Sequence, residues 1–594
     1  MIAVLTNFIW RLVSLSWLTG PIFDKELRVS ARRKRNYWLR FIYLALLTLF
    51  LVLIWTDQVR SYGHAVNRIA RMAEAGRQII AVVVWFQFIA IQLIAIITLS
   101  TSISDEIQHR TLGVLMTTPI NSTQIVLGKL FSRLLQLILL LAISLPVLAI
   151  VRVFGGVPWN YLISSLVMTL TVATFVGSLS LFYSILTRRA YHVIIMTFIS
   201  LGFLFLLLPY LVGALYHVIT GDWPDPALTN LIFYANPYLA FAANTETMLY
   251  QRGFGPFTIS WPLHCAILLA AAAVILLFCV LLVRKVALRQ AVGQTSSSAR
   301  KRRRKKHQLE SAQSDQPTGS IRRIYGSPTI WKELRTPMFR RHKVASIVIA
   351  SITLLLLFTT YLLFANHNDL NSQDVQGIYI IIFMVLGCLF TIILPATSIT
   401  SEKEARSWPL LLATTLTDTQ ILCGKFIGAL RRCLPIWLLL FGHLILFTSL
   451  GFIHPIAIFH IAITISWLVF FLCCTGLYFS ARFKHTTTAV IMNFVLPAVI
   501  WMLVPFLLAV TSEIRRTGYD GFKAYLDTNP FVHVGVVIQK TVSSRRSLGD
   551  YYWPTGKRTI VDSTYWMLTC AFVYIVIGLL FAWRAKCRLR RNVF

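Results

Sequence analysis

The residues able to do chemistry are few in this chain, and they recur. Glu106 and Arg110 stand four apart, Glu402 and Arg406 repeat the spacing, and a Gly-Lys pair follows each, at Gly128-Lys129 and Gly424-Lys425. On a helix, an acid four residues before a base is the favoured order for an exposed ion pair, worth only ~0.2 to 0.5 kcal/mol. Stability alone therefore does not account for the repetition. A Gly-Lys pair also suggests a phosphate-binding loop, but Leu130 and Phe426 stand where that loop needs Ser or Thr, and neither copy has the earlier Gly. No site for ATP hydrolysis is visible in the chain.

His264, His443, His454 and His460 lie in or beside apolar segments, where an ionisable residue is a functional candidate by default. They share no spacing, which favours packing or interfacial roles over a proton relay or a metal path. The nine cysteines include no CxxC pair, so neither a disulfide framework nor a zinc site is expected, and the vicinal Cys473-Cys474 read as packing residues.

The charged groups belong to a stretch that occurs twice, Ile103 to Lys129 and Ile399 to Lys425. At an offset of 296, from 106 to 402, the copies pair Glu106 with Glu402, Arg110 with Arg406, Leu115 with Leu411, Thr118 with Thr414, Gln124 with Gln420 and Lys129 with Lys425. Apolar runs flank each copy. With 57% hydrophobic and 13% charged residues among 594, a mean hydropathy of +0.69 and several uncharged runs beyond ~18 residues, the chain is a polytopic membrane protein. The runs are continuously apolar rather than alternating, so they read as helices, not barrel strands. The net charge of +34 would suggest nucleic acid in a soluble protein. Here Lys and Arg gather at the ends of apolar runs, as positive-inside anchoring requires.

The first twenty residues lack the basic start and cleavage site of a signal peptide and read as an interfacial helix with Trp10 and Trp17 at headgroup depth, ended by Gly20-Pro21. Spans are expected at about 39–55, up to 100, 130–151, 161–186, up to 218 and 261–283. They recur at about 345–364, 378–400, 434–452, 456–481, 488–510 and 565–583. The loop before Arg77 sits awkwardly, since Arg60, Arg68 and Arg71 place positive charge on its expected outer side. Residues 219–260 carry apolar pieces too short to span, and whether this loop and its counterpart at 513–563 are re-entrant is left open by the sequence.

Between the halves, a Ser-rich patch leads into Arg300, Lys301, Arg302, Arg303, Arg304, Lys305 and Lys306. Each such residue near an anionic leaflet is worth ~1 kcal/mol, so this tract is read as disordered and held at the membrane surface, not as a nucleic-acid site. The divisions expected are 1–38, an interfacial helix and basic segment; 39–289, a first six-span half; 290–327, a polybasic linker; and 328–594, a second six-span half. Lys332-Glu333-Leu334-Arg335 echoes Lys25-Glu26-Leu27-Arg28 at an offset of 307, and a loop eleven residues shorter after the seventh span reconciles this with 296. Leu181 to Ser184 matches Leu477 to Ser480, and Asn236-Pro237 matches Asn529-Pro530. Both halves start on the same side, making the repeat parallel.

Glu402, Lys403, Glu404 and Arg406 would each cost ~2.5 to 3.5 kcal/mol at bilayer depth, so the span before them ends near Thr400 and the charged turn lies in the cytoplasm. A helix there would turn Ile103, Ile107 and Val114 to the membrane and its charges to a partner.

At this point the sequence resembles the ABC-2 type permeases, the membrane subunits of ATP-binding-cassette transporters. The matching residues are Asp105, Glu106, Arg110-Thr111-Leu112, Val114-Leu115, Thr117-Thr118-Pro119 and Gly128-Lys129. The second copy departs at Trp408-Pro409 and lacks the later proline. The resemblance implies an all-α polytopic protein of two parallel six-helix halves, about twelve spans, with cytoplasmic coupling helices. It further implies coupling to separate ATPase subunits through Asp105, Glu106, Arg110, Leu112, Lys129, Glu402, Glu404, Arg406 and Lys425. Arg188-Arg189 and Arg482 to His485 form a second, smaller contact. This chain is then no enzyme and holds no cofactor; ATP and Mg are bound by the partner. A bacterial inner-membrane exporter with both termini cytoplasmic is expected, its substrate unread. Reversing the charge of Glu106 and Glu402 is expected to uncouple the transporter without unfolding it. The alternatives are a twelve-span secondary transporter of the major-facilitator type, weakened by the scarcity of charges inside the spans, and a non-transporting membrane scaffold.

Overall fold

The computed structural model describes residues 16–31, 65–109, 111–115, 117–187, 190–209, 225–249, 260–291, 327–335, 343–366, 369–515, 520–542 and 549–590, with scattered positions at 37–48 and 212–220. The chain divides into two compact units, Met1–Ile321 and Arg322–Phe594.

The first unit opens with α1 (Ser16–Ala31), which bends at Gly20, where φ is 61°. Pro21 then starts the second arm, in the first-turn position where its missing N–H is harmless. Next come α2 (Ala65–Ser100), two short helices α3 (Ser104–His109) and α4 (Leu112–Leu115), then α5 (Ser122–Gly155) and α6 (Trp159–Leu186). The helix α7 (Ala190–Gly202) runs on through a π-helical segment, Phe203–Leu207. Two further short helices, α8 (Pro226–Ala235) and α9 (Pro237–Met248), precede α10 (Trp261–Ala291). Gly156, with φ 62°, closes α5 in the left-handed conformation that favours glycine. The centre is α6, packed between α2 and α10, while α1 lies along α5. Ser164, Ser165, Ser178, Ser180 and Ser184 on α6 are buried, and these small side chains let neighbouring backbones approach closely.

The second unit repeats the order. It contains α11 (Pro328–Arg335), α12 (Lys343–Asn366), α13 (Gln373–Ser398), the short α14 (Thr400–Glu404) and α15 (Trp408–Leu412), then α16 (Asp418–Ser449) and α17 (Ile456–Arg482). After these come α18 (Thr486–Ala498), the π-helical Val499–Leu503, α19 (Val504–Arg515), α20 (Asp520–Leu526) and α21 (Pro530–Thr541). Strands β1 (Tyr551–Trp553) and β2 (Gly556–Arg558) lead into α22 (Ile560–Arg588). The core helix is α17, packed against α22, α13 and α21.

Two departures from the sequence reading stand out. The chain is not wholly α: β1 and β2 form an antiparallel hairpin, turned at Pro554-Thr555, with Gly556 (φ 137°) opening β2. Alternation explains it, because Tyr551 and Trp553 point inward while Tyr552 stays exposed. The Tyr551 hydroxyl reaches His460 Nδ1 at 2.9 Å, and Trp553 Nε1 donates to Ser563 Oγ at 2.9 Å. Second, nine of the described helices are long and apolar enough to cross a membrane, against twelve expected spans. Of the other three, the span at 39–55 lies mostly outside the described residues and that at 190–218 partly so, while that at 345–364 falls on α12, which holds a shorter apolar helical stretch, Thr353–Leu362.

His264, His443, His454 and His460 each meet a neighbour through Nδ1. His443 Nδ1 meets the Tyr361 hydroxyl at 2.6 Å among Tyr379, Phe383 and Phe447, His264 Nδ1 meets the Tyr234 carbonyl at 2.7 Å, and His454 Nδ1 accepts from Ile456 N–H at 3.3 Å. Each unit also clamps its π-helical segment in one way. A proline at 209 or 505 has no N–H to give the carbonyl four residues earlier, Phe205 or Trp501. That carbonyl accepts instead from the side-chain amide of Asn236 at 2.7 Å or Asn529 at 2.9 Å. The same asparagines cap α9 and α21 through Oδ1.

Candidate functional site

Both repeated stretches begin at a break held by one serine. The N–H groups of Ile103 and Ser104 donate to Ser184 Oγ at 3.1 and 2.9 Å, and those of Ile399 and Thr400 to Ser480 Oγ, each at 3.0 Å. This accounts for the match between residues 181–184 and 477–480. Both serines are fully buried, so removing the hydroxyl leaves two donors without a partner, at about 1–3 kcal/mol each. Ser480→Ala should therefore lower the thermal unfolding temperature of the detergent-solubilised chain and Ser184→Ala should do likewise. A Cys or Thr at either position should retain more stability than Ala; equal melting of all variants would show that the serines hold nothing.

Past the break, each stretch forms two short helices separated by a tight corner. Pro409 does not disturb this, because it lies in the first turn of α15. Trp408 fills the space that Leu112 fills in the first unit, and both are fully buried. Thr118 Oγ1 donates to the Leu115 carbonyl at 2.5 Å and Thr414 Oγ1 to that of Leu411 at 2.6 Å, closing the second short helix. Gln124 and Gln420 accept from the N–H of Asn121 and Thr417 at 3.2 and 3.1 Å, the reciprocal half of a capping box. The residues that recur are thus those that build the frame.

The recurring charges belong to that frame as well. The ion pair expected between Glu402 and Arg406 does not form, because α14 ends at Glu404 and the four-residue spacing is lost. Glu402 meets Lys425 at 2.5 Å, Lys425 also meets Glu333 at 3.1 Å, and Arg432 meets Glu333 at 2.7 Å. In the first unit Glu106 meets Lys129 at 2.7 Å, Lys129 also donates to the Ser102 carbonyl, and Glu26 pairs separately with Arg133 at 3.5 Å. Lys129 and Lys425 are buried. Burial alone would raise the Glu333 carboxyl, but Lys425 and Arg432 hold it below its ordinary 4.5. Reversing Glu106 or Glu402 would set a second cation against a buried lysine, so a loss of stability is expected alongside the uncoupling expected from sequence.

What faces outward is a different set. Asp105, Arg406 and Leu410 are exposed, Leu410 at 73%. Arg406 has φ 53°, the left-handed region that side chains rarely adopt. Its N–H bonds the Lys403 carbonyl and the Ser407 N–H bonds that of Glu402, each at 3.0 Å, a helix termination that ordinarily takes glycine. The Thr111 N–H to Glu106 carbonyl bond, 3.0 Å, makes the same outer closure in the first unit. Glu404 is turned inward onto Thr486. Lys403 is pushed down to about 8 by burial and by neighbouring Lys484. Arg482, Lys484 and His485 are exposed. Arg110, Arg188, Arg189 and the tract from Arg300 to Lys306 lie outside the described residues.

Sequence reasoning missed Glu26, Glu333, Lys403 and Arg432. The echo of Lys-Glu-Leu-Arg at 25–28 and 332–335 was the available signal for the first two, since the buried cations of each unit need an acid from elsewhere in that unit.

Two family models, both described as ABC-2 family transporter protein, match the chain, one over residues 21–288 and the other over 359–580. No curated protein matches it. The first match starts where α1 bends and ends within α10; the second starts within α12 and ends within α22. ABC-2 permease domains are the non-catalytic membrane components of ABC transporters. With a duplicated frame of buried charge and two matched units, this chain belongs to the ABC-2 family transporter proteins, two permease units in one polypeptide.

Proposed function

We propose that this chain supplies both membrane-spanning halves of an ATP-binding-cassette exporter, of about twelve spans in a bacterial inner membrane, with both termini cytoplasmic. Separate ATPase subunits bind ATP and Mg and dock on the two repeated stretches, which act as coupling elements. Asp105, Arg110 and Arg406 face the partner; Glu106, Leu112, Lys129, Glu402, Glu404 and Lys425 hold the elements in shape. Arg188 and Arg189 add a smaller contact, and the tract from Arg300 to Lys306 lies on anionic lipid.

The observation that carries this reading is Arg406. A non-glycine residue in the left-handed region costs roughly 1 kcal/mol or more, and such strain concentrates at functional positions. At a corner where glycine would be the relaxed choice, the structure holds an exposed guanidinium. Arg406→Gly keeps the backbone and removes only that group. Its thermal stability should equal or exceed that of the parent, while capture of the Walker-motif ATPase on the permease in native membranes falls about tenfold or more, as for loss of an interface hot spot. Leu410→Asp should do the same. Full capture by both variants would remove the docking role.

A further inference from the structure

Two adjacent residues of the second repeated stretch bind the ends of two other helices. Lys403 Nζ donates to the carbonyls of Ser480 at 3.1 Å, Ala481 at 2.5 Å and Phe483 at 3.2 Å, the full donor capacity of an ammonium. The first two belong to the last turn of α17, where carbonyls lack helical partners, and the third to its C-cap residue. Glu404 Oε1 accepts from the Thr486 N–H at 2.7 Å and Oε2 from the Thr486 hydroxyl at 2.7 Å, at the start of α18. Each charge has the sign that its helix end favours, cation at the C-terminus and anion at the N-terminus.

Among the described residues the first stretch shows no such staple. At the same offset of 296, Lys403 and Glu404 are replaced by Ile107 and Gln108, and Thr486 by Ala190. Ile107 is buried. At the position of Phe483, Thr187 turns its hydroxyl back onto the Tyr183 carbonyl of its own helix at 2.9 Å.

We infer that Lys403 and Glu404 are positioning residues that make the second coupling element and the α17–α18 turn one rigid piece, so that a partner displacing this element moves both helices directly. The first element, joined through Ser184 and apolar packing, lacks this charged tie. The inference rests on the coupling role proposed above, and two measurements separate it from that role.

Amide exchange on the purified full chain tests the staple itself. Lys403→Ile with Glu404→Gln, which installs the first unit's own residues, should speed exchange at Thr486 roughly tenfold, the loss of a charge-assisted hydrogen bond. Should that variant fold poorly, the reciprocal Ile107→Lys, Gln108→Glu, Ala190→Thr should slow exchange at residue 190. Unchanged exchange in either experiment overturns the inference.

The second measurement reads motion. A reporter, His485→Cys, is placed in the exposed turn, with exposed Cys423 and Cys587 changed to serine. In native membranes that contain the ATPase, ATP should change the rate of maleimide labelling several-fold, and the Lys403→Ile, Glu404→Gln variant should lose that response. A response that survives in the variant overturns the staple and leaves coupling intact. No response in the parent overturns the coupling reading and this inference with it.

Discussion

Lys425→Met should be the most damaging single change in the second unit, lowering stability by about 3–5 kcal/mol, the range for a buried ion pair stripped of one partner. The lysine lies between two carboxylates from different segments, Glu333 on α11 and Glu402 on α14. Glu333 is 8% exposed, so water cannot take the lysine's place there, while Glu402, at 23%, is partly open to it. Among the described carboxylates, Arg432 reaches Glu333. The first unit supplies a matched control. Lys129 faces one carboxylate, Glu106, whose side chain is 24% exposed, so Lys129→Met should cost less. Adding Glu402→Gln to Lys425→Met should recover part of the loss, because the uncompensated charge is then gone. Thermal unfolding in detergent reads all of these. Equal melting of Lys425→Met and Lys129→Met would mean that the extra carboxylate carries no weight.

Gly424→Ala with Gly428→Ala should detach α11 from α16. A Cβ at 424 would come within 2.6 Å of Thr329 Oγ1 and 3.2 Å of the Thr329 backbone carbon. One at 428 would come within 2.7 Å of Glu333 Oε2 and 3.0 Å of Glu333 Cβ. Contacts this short force displacement, at about 1–3 kcal/mol for overpacking. Here the steric change also becomes electrostatic. The group pushed at 428 is the carboxylate held by Lys425 and Arg432, and Arg431 Nη1 donates to the Glu333 carbonyl at 2.7 Å, gripping the end of α11. Limited trypsin digestion should report it: cleavage after Lys332 and Arg335 should become much faster in the double variant. Parent-like digestion would show that α11 docks without the glycines.

Much of this was legible from sequence. Continuous apolar runs gave nine of the twelve expected spans, because a lipid-crossing backbone must satisfy its own hydrogen bonds and length alone then identifies it. The duplication was legible because both units solve one folding problem with the same serine, threonine, glutamine and lysine. The partners of the charges were not. Glu106 and Arg110 read as a helical pair only if the helix continues, and the left-handed corner at Arg406 shows the second copy stopping short. Lys129 and Lys425 read as surface cations after a glycine, whereas they are buried by helices brought in from about a hundred residues away in sequence. Pro409, where the second copy departs from the family pattern, lies in the first turn of α15 and leaves that helix intact. The hairpin was hidden because three-residue strands are too short for an alternation to register.

The π-helical segments alter how α7 and the α18–α19 helix must be read. Each inserts a residue into the turn, which rotates everything beyond it by about 100° relative to an unbroken α-helix. A helical wheel drawn through Phe203–Leu207 or Val499–Leu503 therefore assigns the wrong face to whatever follows. Because Asn236 and Asn529 each grip the carbonyl exposed there, the phase shift is fastened from outside the helix. Residue scans along these spans should accordingly show two registers of sensitivity, with the change of phase at the clamp.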